Sequence, residues 1–152
     1  MRNRALLAGA LLLSGCFANT VLDQGQVREA TQAHFGSARL PLDVGPIVVA
    51  GDHAIADWTQ GDFGGRALFE RNGGSWMLVL CSGDSIRRAD NLRRAGVPDF
   101  AADLIAERLA KEEAALPPER LARMRRFVGT AAEHERYLET LDKQGVRPGP
   151  TR

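Results

Sequence analysis

The sequence predicts an α+β domain with an N-terminal helix, a four-stranded antiparallel sheet and C-terminal helices. Three observations lead to this class. Apolar residues recur at helical spacing from about residue 27, four short apolar segments separated by turn residues follow, and helical spacing returns after Pro98. The short connections between the middle segments make those strands antiparallel neighbours. Strands and helices that are segregated along a chain are typical of α+β domains.

The first helix is expected to begin at Asp23 and to end at Gly36. Asp23 can cap the helix, with Gln26 three residues later as in a capping box. The residues that share its core-facing side are Val27, Ala30, Thr31, His34 and Phe35. Residues 39–46 are expected to form a proline-containing loop.

Turn residues divide the middle of the chain into its four strands. Gly51-Asp52 predicts a two-residue hairpin turn with a positive φ at the glycine, and Asn72-Gly73-Gly74 predicts another turn. Residues 61–65 are expected to be a flexible connection, either a binding loop that continues to Arg66 or only a bend. The strands are expected at residues 47–50, 53–60, 66–71 and 75–81.

Alternation in the fourth strand predicts which side chains share a face of the sheet. One face is expected to hold Trp76, Leu78 and Leu80, and the other Met77, Val79 and Cys81.

The C-terminal part is expected to contain three helices. Asp84 can cap a helix that runs to Ala95, with Gly96 just beyond its end. Pro98 can occupy the first turn of the next helix, whose apolar residues are Phe100, Leu104, Ile105 and Leu109.

The third helix is expected to begin at Pro117-Pro118, with Leu121, Met124 and Val128 along one side. It either runs to Asp142 or breaks near Gly129-Thr130. Its four arginines between residues 120 and 126 are expected to face solvent.

The N-terminus has the pattern of a secretory signal. Arg2 and Arg4 precede an apolar run of nine residues at 5–13, which is shorter than the ~20 residues of a membrane-spanning helix. Leu13-Ser14-Gly15-Cys16 resembles the bacterial lipoprotein signal, which implies that Cys16 becomes a lipidated N-terminus. The alternative is ordinary cleavage after Ala18, which would release a soluble periplasmic protein.

These expectations divide the chain into a signal peptide at 1–15, a tether at 16–22, a single α+β domain at 23–144 and a flexible tail at 145–152. The mature chain is long enough to bury a core without disulfides. Without Arg2 and Arg4 it holds 18 basic and 19 acidic side chains. This balance gives no indication of an electrostatic nucleic-acid partner, so none is expected. The expected location is the cell envelope, with a lipid anchor in a membrane and the domain facing the periplasm.

Cys81 is the residue whose chemistry the sequence leaves open. With Cys16 lipidated, it is the only thiol of an exported chain that has two cysteines. Four roles are open to such a thiol: it could form an intermolecular disulfide, act as a reactive nucleophile, bind a metal, or pack as a small core residue. A helix that begins at Asp84 would lower its pKa.

Catalysis by Cys81 is not expected, because a nucleophile needs a base and the sequence places none of His34, His53 and His134 beside it. We therefore expect a protein that is not an enzyme. For metal binding, a cysteine suits Cu(I), and Cys81 and His53 are the candidate ligands. Met77 lies roughly 13 Å along the strand, too far to share the ion. The sequence contains no compact ligand motif.

Five stretches between residues 44 and 98 carry a resemblance: VGPIVVAGDHAIADWTQ at 44–60, GGRALF at 64–69, GSW at 74–76, LCSGD at 80–84 and AGVP at 95–98. They resemble a small family of exported proteobacterial proteins named for their association with a copper uptake system. The resemblance implies an accessory role in copper uptake or homeostasis, with copper as a candidate ligand and copper-uptake proteins as partners. The alternative is a small-ligand or protein-interaction module that binds no metal and has a curved sheet like the cystatin or nuclear-transport-factor folds.

Overall fold

A computed structural model describes residues 14–36 and 40–127 and shows the expected α+β architecture. Its four antiparallel strands lie in the order β1-β2-β3-β4. The helices are α1 (Ser14–Phe35), α2 (Ala89–Arg94), α3 (Asp99–Glu113) and α4 (Pro118–Arg125). The strands are β1 (Leu42–Ala50), β2 (His53–Gln60), β3 (Phe63–Asn72) and β4 (Ser75–Ser82), and a 3₁₀ turn covers Asp84–Arg87. The predictions for the signal peptide, for residues after 127 and for the tail lie outside the described residues.

The sheet is buried on both faces, because its central strands carry apolar residues at successive positions. In β2, Ala54, Ala56 and Trp58 pack in one core, whereas Ile55 packs in the other. Val27 and Phe35 of α1 complete the first core. The second core is completed by residues of α2 and α3: Leu92, Ala101, Ala102, Ile105 and Leu109. The predicted bounds of β2 are confirmed.

Helix α1 is longer than expected. It begins at Ser14 and not at Asp23, so residues 16–22, the expected tether, continue the helix. No proline interrupts this segment. Asp23 forms an ion pair with Arg71, at 2.6 Å, and does not cap a helix. The expected end is confirmed, since α1 stops at Phe35 before Gly36.

Strand β1 includes most of the expected proline-containing loop, because it begins at Leu42. The pairing of β1 with β2 shifts register between Val44 and Ile47. Such a bulge in an edge strand tolerates Pro46, whose nitrogen has no hydrogen to donate.

The hairpin turns follow the glycines. Gly51 has a φ of 61°, which confirms the predicted positive φ, and Gly73 and Gly74 are positive as well. The connection before β3 is shorter than expected, because β3 begins at Phe63 and leaves only Gly61-Asp62 as the turn. Gly64 and Gly65 are buried in the strand, so they do not form an open binding loop.

A bulge in β4 makes the expected alternation wrong beyond Leu78. The register of β3 with β4 shifts between Leu68 and Phe69, and Val79 is the extra residue. A one-residue shift moves the following side chains to the other face. Leu80 therefore packs in the second core, and Cys81 packs against the first, with Trp76 and Leu78.

The segment after β4 is not one helix from Asp84. A 3₁₀ turn is followed by α2, and no side chain caps either. Asp84 binds arginines instead. Gly96 follows α2 with a φ of 96°, as expected. In α3, Ile105 and Leu109 are buried, but Phe100 is 80% exposed and does not belong to the core-facing side.

Gly64 offers a test of how closely β2 and β3 pack within their hairpin. A Cβ at Gly64 would lie 2.6 Å from the Trp58 carbonyl oxygen and 2.7 Å from Thr59 Cγ2. We expect Gly64→Ala to lower the free energy of unfolding by about 1–3 kcal/mol, through overpacking. Urea denaturation measures the change.

The matched control is Gly25→Ala in α1, where an added Cβ meets no atom within 4 Å. This variant should be unchanged or stabilised by up to about 1 kcal/mol, because alanine favours a helix. Equal effects of the two substitutions would contradict the packing described here.

Candidate functional site

Cys81 lies at the end of β4, opposite Ala67 of β3, and packs against the core that contains Trp58. Burial raises the pKa of the Cys81 thiol to about 12, and the nearby Trp58 indole opposes this shift by a smaller amount. The expectation of a pKa lowered by a following helix is therefore wrong. Only a single 3₁₀ turn follows, and desolvation outweighs it. At neutral pH the sulfur is a protonated thiol, which is a poor nucleophile and a poor metal ligand.

His53 does not lie near Cys81. It is the first residue of β2 and pairs with Ala50 and Glu70. Alternation places it on the face opposite to Ala56 and Trp58, whereas Cys81 packs on their side. Strand spacings put the two residues roughly 14 Å apart. The two candidate ligands therefore cannot bind one ion together in this fold.

The other soft or imidazole donors are also dispersed. His34 is exposed on α1, with its ring 6.5 Å from the ring of Phe69, and Met77 is 55% exposed. Across residues 14–36 and 40–127, no three histidine, cysteine or acidic side chains converge as a metal site would require. Cys16 is the third residue of α1, but its side chain is outside the described part of the structure, so its lipidation stays a prediction.

The structure instead brings together a group of buried charges that the sequence analysis missed. Arg66 of β3 is fully buried, and its Nε donates to Glu113 Oε1 of α3 at 2.6 Å. Its Nη1 donates to Asp84 Oδ1 at 3.1 Å. Asp57 Oδ1 of β2 lies 3.8 Å from the same guanidinium. We call Arg66, Asp57, Asp84 and Glu113 the Arg66 cluster.

Further arginines extend the Arg66 cluster to its rim. Arg87 Nε lies 2.8 Å from Glu113 Oε2, and Arg125 Nε of α4 lies 3.1 Å from Asp84 Oδ2. Asp84 is 45% exposed, so the cluster meets solvent on this side. The ion pairs therefore join β2, β3, the 3₁₀ turn, α3 and α4.

Of the four arginines that were expected to face solvent, the last two are exposed as expected, but the first two contact other parts of the fold. Arg120 binds the Asp43 carboxylate and donates to the carbonyl of Gly45, at 2.6 Å. Arg123 donates to the carbonyl of Gly61 at 3.2 Å. These contacts hold α4 against the β1 bulge and against the β2–β3 turn.

Asp57 is a carboxyl group of the Arg66 cluster with a strongly raised pKa. Burial, followed by the neighbouring Glu113 carboxylate, raises the pKa of Asp57 to about 8, while Arg66 and Arg120 oppose the shift. Asp57 is therefore largely protonated at neutral pH. This removes one negative charge from a site where three carboxylates surround one guanidinium.

The Arg66 cluster can hold a proton, but its deepest members are closed to a substrate, since Asp57, Arg66 and Glu113 are all buried. One sequence signal could have revealed it. Asp57 interrupts a strand whose neighbouring positions are all apolar or small, and Arg66 is its direct partner in the β2–β3 register. The sequence gives no comparable indication that Glu113 pairs with Arg66, because the two residues lie 47 positions apart along the chain.

The raised pKa of Asp57 predicts a pH dependence of stability. Between pH 3.8 and about 8 the folded protein holds a proton that the unfolded chain releases. The free energy of unfolding should therefore fall as pH rises through this window, by up to about 1.4 kcal/mol per pH unit. The Asp57→Asn variant has no carboxyl proton at this position, so its free energy of unfolding should not show this part of the pH dependence. Urea denaturation from pH 5 to 9 measures the difference.

The control for this prediction is Asp62→Asn, the same chemical change at an exposed position in the β2–β3 turn. It should keep the pH dependence of the parent. Parallel stability curves for the parent and Asp57→Asn would show that Asp57 binds no proton in this range.

No family model matches the chain, and no curated protein or solved structure gives a significant match. Within the described residues, none of the helices has the length and apolar character that a bilayer-spanning segment needs.

Proposed function

We propose that this chain is a non-enzymatic accessory protein of the cell envelope that supports copper uptake or homeostasis through a protein partner, and that Cys81 does not hold the copper. The observation against Cys81 as a copper ligand is its location. The side chain packs against a core, and burial raises the pKa of its thiol to about 12. The link to copper itself is supported by the resemblance of residues 44–98.

Copper binding at Cys81 would require several conditions that this fold opposes. The thiol must lose its proton, and burial disfavours the thiolate. A Cu(I) site also needs further soft or imidazole donors. His53 lies across the sheet, and the exposed Met77 is four residues along the chain, on the other side of the bulge. An ion at the Cys81 sulfur would therefore lack both of these donors.

The anchor is a further part of the proposal. Since α1 begins at Ser14, a lipid on Cys16 would join the membrane to a helix that runs directly into the domain. Val27 and Phe35 fix that helix in the first core. The domain would then stand close to the membrane surface, where membrane-bound copper-uptake proteins lie within reach.

A second candidate is a protein-interaction module with no link to copper. The observation that favours it is β4, an edge strand that presents apolar side chains to solvent. An exposed strand edge is a common docking surface for proteins. The two candidates differ in whether loss of the protein changes the copper content of the cell.

The test of the function is a gene deletion in the host, followed by measurement of cell copper under copper limitation. We expect the deletion to lower copper content. The parent gene and Cys81→Ala should restore it equally, because the thiol is a core residue. Cys16→Ala should not restore it, because the anchor is lost. A deletion without any effect on copper would favour the interaction module.

The direct binding of copper is tested separately, by Cu(I) titration of the purified protein against a competing chelator. Cys81→Ser, which keeps a small polar side chain, should titrate like the parent. Weakening of Cu(I) binding by tenfold or more in Cys81→Ser, with the fold intact by circular dichroism, would show that the thiol is a ligand after all.

A further inference from the structure

The first part of helix α1 carries two apolar side chains in solvent. Val21 is 67% and Leu22 is 64% exposed, whereas Val27 of the same helix is fully buried. Because Val21 and Leu22 are consecutive, they point about 100° apart around the helix axis. A groove in a partner protein takes one side of a helix, so two exposed neighbours on different sides are better suited to an apolar layer that surrounds the start of the helix.

The charges of α1 change along its length. Asp23 is the only charged residue between positions 14 and 27 of the sequence. Its carboxylate is 16% exposed and lies 2.6 Å from Arg71 Nη2, so its charge is compensated. The next charged residues, Arg28 and Glu29, are both exposed. The start of α1 is therefore compatible with a lipid surface, and the helix becomes a water-facing one at Arg28.

The start of α1 lies at the end of the domain that also holds two hairpin turns. Arg71, which precedes the turn at 72–74, pairs with Asp23 of α1 and, at 3.3 Å, with Asp52 of the β1–β2 turn. We call residues 20–23, 51–52 and 72–74 the anchor end. Since the strands are antiparallel, the β2–β3 turn lies at the opposite end, roughly 25 Å away along eight-residue β2.

We propose that the anchor end rests on the membrane surface, with Val21 and Leu22 in the lipid headgroup layer. The inference rests on the anchor in the proposed function, and it assigns the face of the domain that meets the lipid. Cys16 is the third residue of α1, so six residues of helix place Leu22 roughly 9 Å from it along the axis. The headgroup layer is roughly 5–8 Å deep on each side of the hydrocarbon core. A modest tilt of α1 therefore brings Leu22 into this layer when a lipid holds Cys16 at its base.

The contact is apolar and does not depend on anionic lipid. Arg71, the basic residue beside the anchor end, is already occupied by the carboxylates of Asp23 and Asp52. Attraction of basic residues to anionic lipid weakens as salt rises. Burial of Val21 and Leu22 in a zwitterionic layer should be unchanged by salt.

Fluorescence quenching in phosphatidylcholine vesicles tests this placement. The probe is the purified, acylated full-length chain carrying Cys81→Ala and one introduced cysteine, Leu22→Cys, labelled with an environment-sensitive fluorophore. Lipids that carry a nitroxide on the headgroup should quench this label at least about threefold more strongly than a label held in water. The quenching should be equal at low and high salt.

Two matched labels provide the controls. Glu29→Cys places the fluorophore on the same flank of α1, two turns further along, and Asp62→Cys places it at an exposed site in the β2–β3 turn. Both labels should remain in water. All the labelled positions are exposed, so folding should survive, and circular dichroism checks it.

Each outcome separates this inference from the anchor itself. An acylated chain whose label at position 22 is quenched no more than the label at position 62 would overturn the inference and leave the anchor in place. A chain with no acyl group on Cys16, by intact mass, would overturn both. A label at position 22 that is shielded only at high protein density, without quenching by the lipid nitroxide, would show that a second copy covers it and would also overturn the proposal.

Discussion

The position of Arg66 in the sheet is the constraint on which the rest of this structure depends. A fully buried guanidinium must be paired, because removing a charge from water costs several kcal/mol. Its partners come from three other elements, with Glu113 at 2.6 Å, Asp84 at 3.1 Å and Asp57 at 3.8 Å. Helix α3 and the 3₁₀ turn must therefore lie in one arrangement on the sheet for the charge to be satisfied. A proton on Asp57 removes one of the three negative charges around this guanidinium.

Local signals and distant contacts explain which features could be predicted from the sequence. The hairpin at Gly51 and the bounds of β2 depend on neighbouring residues, and they were predicted correctly. The bulge at Val79 could not be predicted, because it depends on how Leu80 and Cys81 fit two different cores. The pairing of Arg66 with Glu113 spans 47 residues and depends on where α3 packs.

The same distinction governs the candidate functional sites. A sequence shows that a cysteine is present, but its reactivity depends on burial and neighbours that only the fold supplies. For Cys81, burial beside Trp58 decides in favour of a protonated thiol. The two edges of the sheet differ in a similar way. Side chains of α1 and α4 donate hydrogen bonds to carbonyls of β1, whereas β4 is uncharged and carries the bulge at Val79.

A double-mutant cycle on Arg66 and Glu113 tests most directly whether this ion pair holds α3 on the sheet. Arg66→Met and Glu113→Gln should each lower the free energy of unfolding by about 3–5 kcal/mol, because each leaves a buried partner unpaired. The double variant should lose less than the sum, with a coupling of about 1 kcal/mol or more. The exposed pair Arg93 and Asp103, 2.6 Å apart, serves as the control, with a coupling below about 1 kcal/mol. Additive losses for Arg66 and Glu113 would contradict the account.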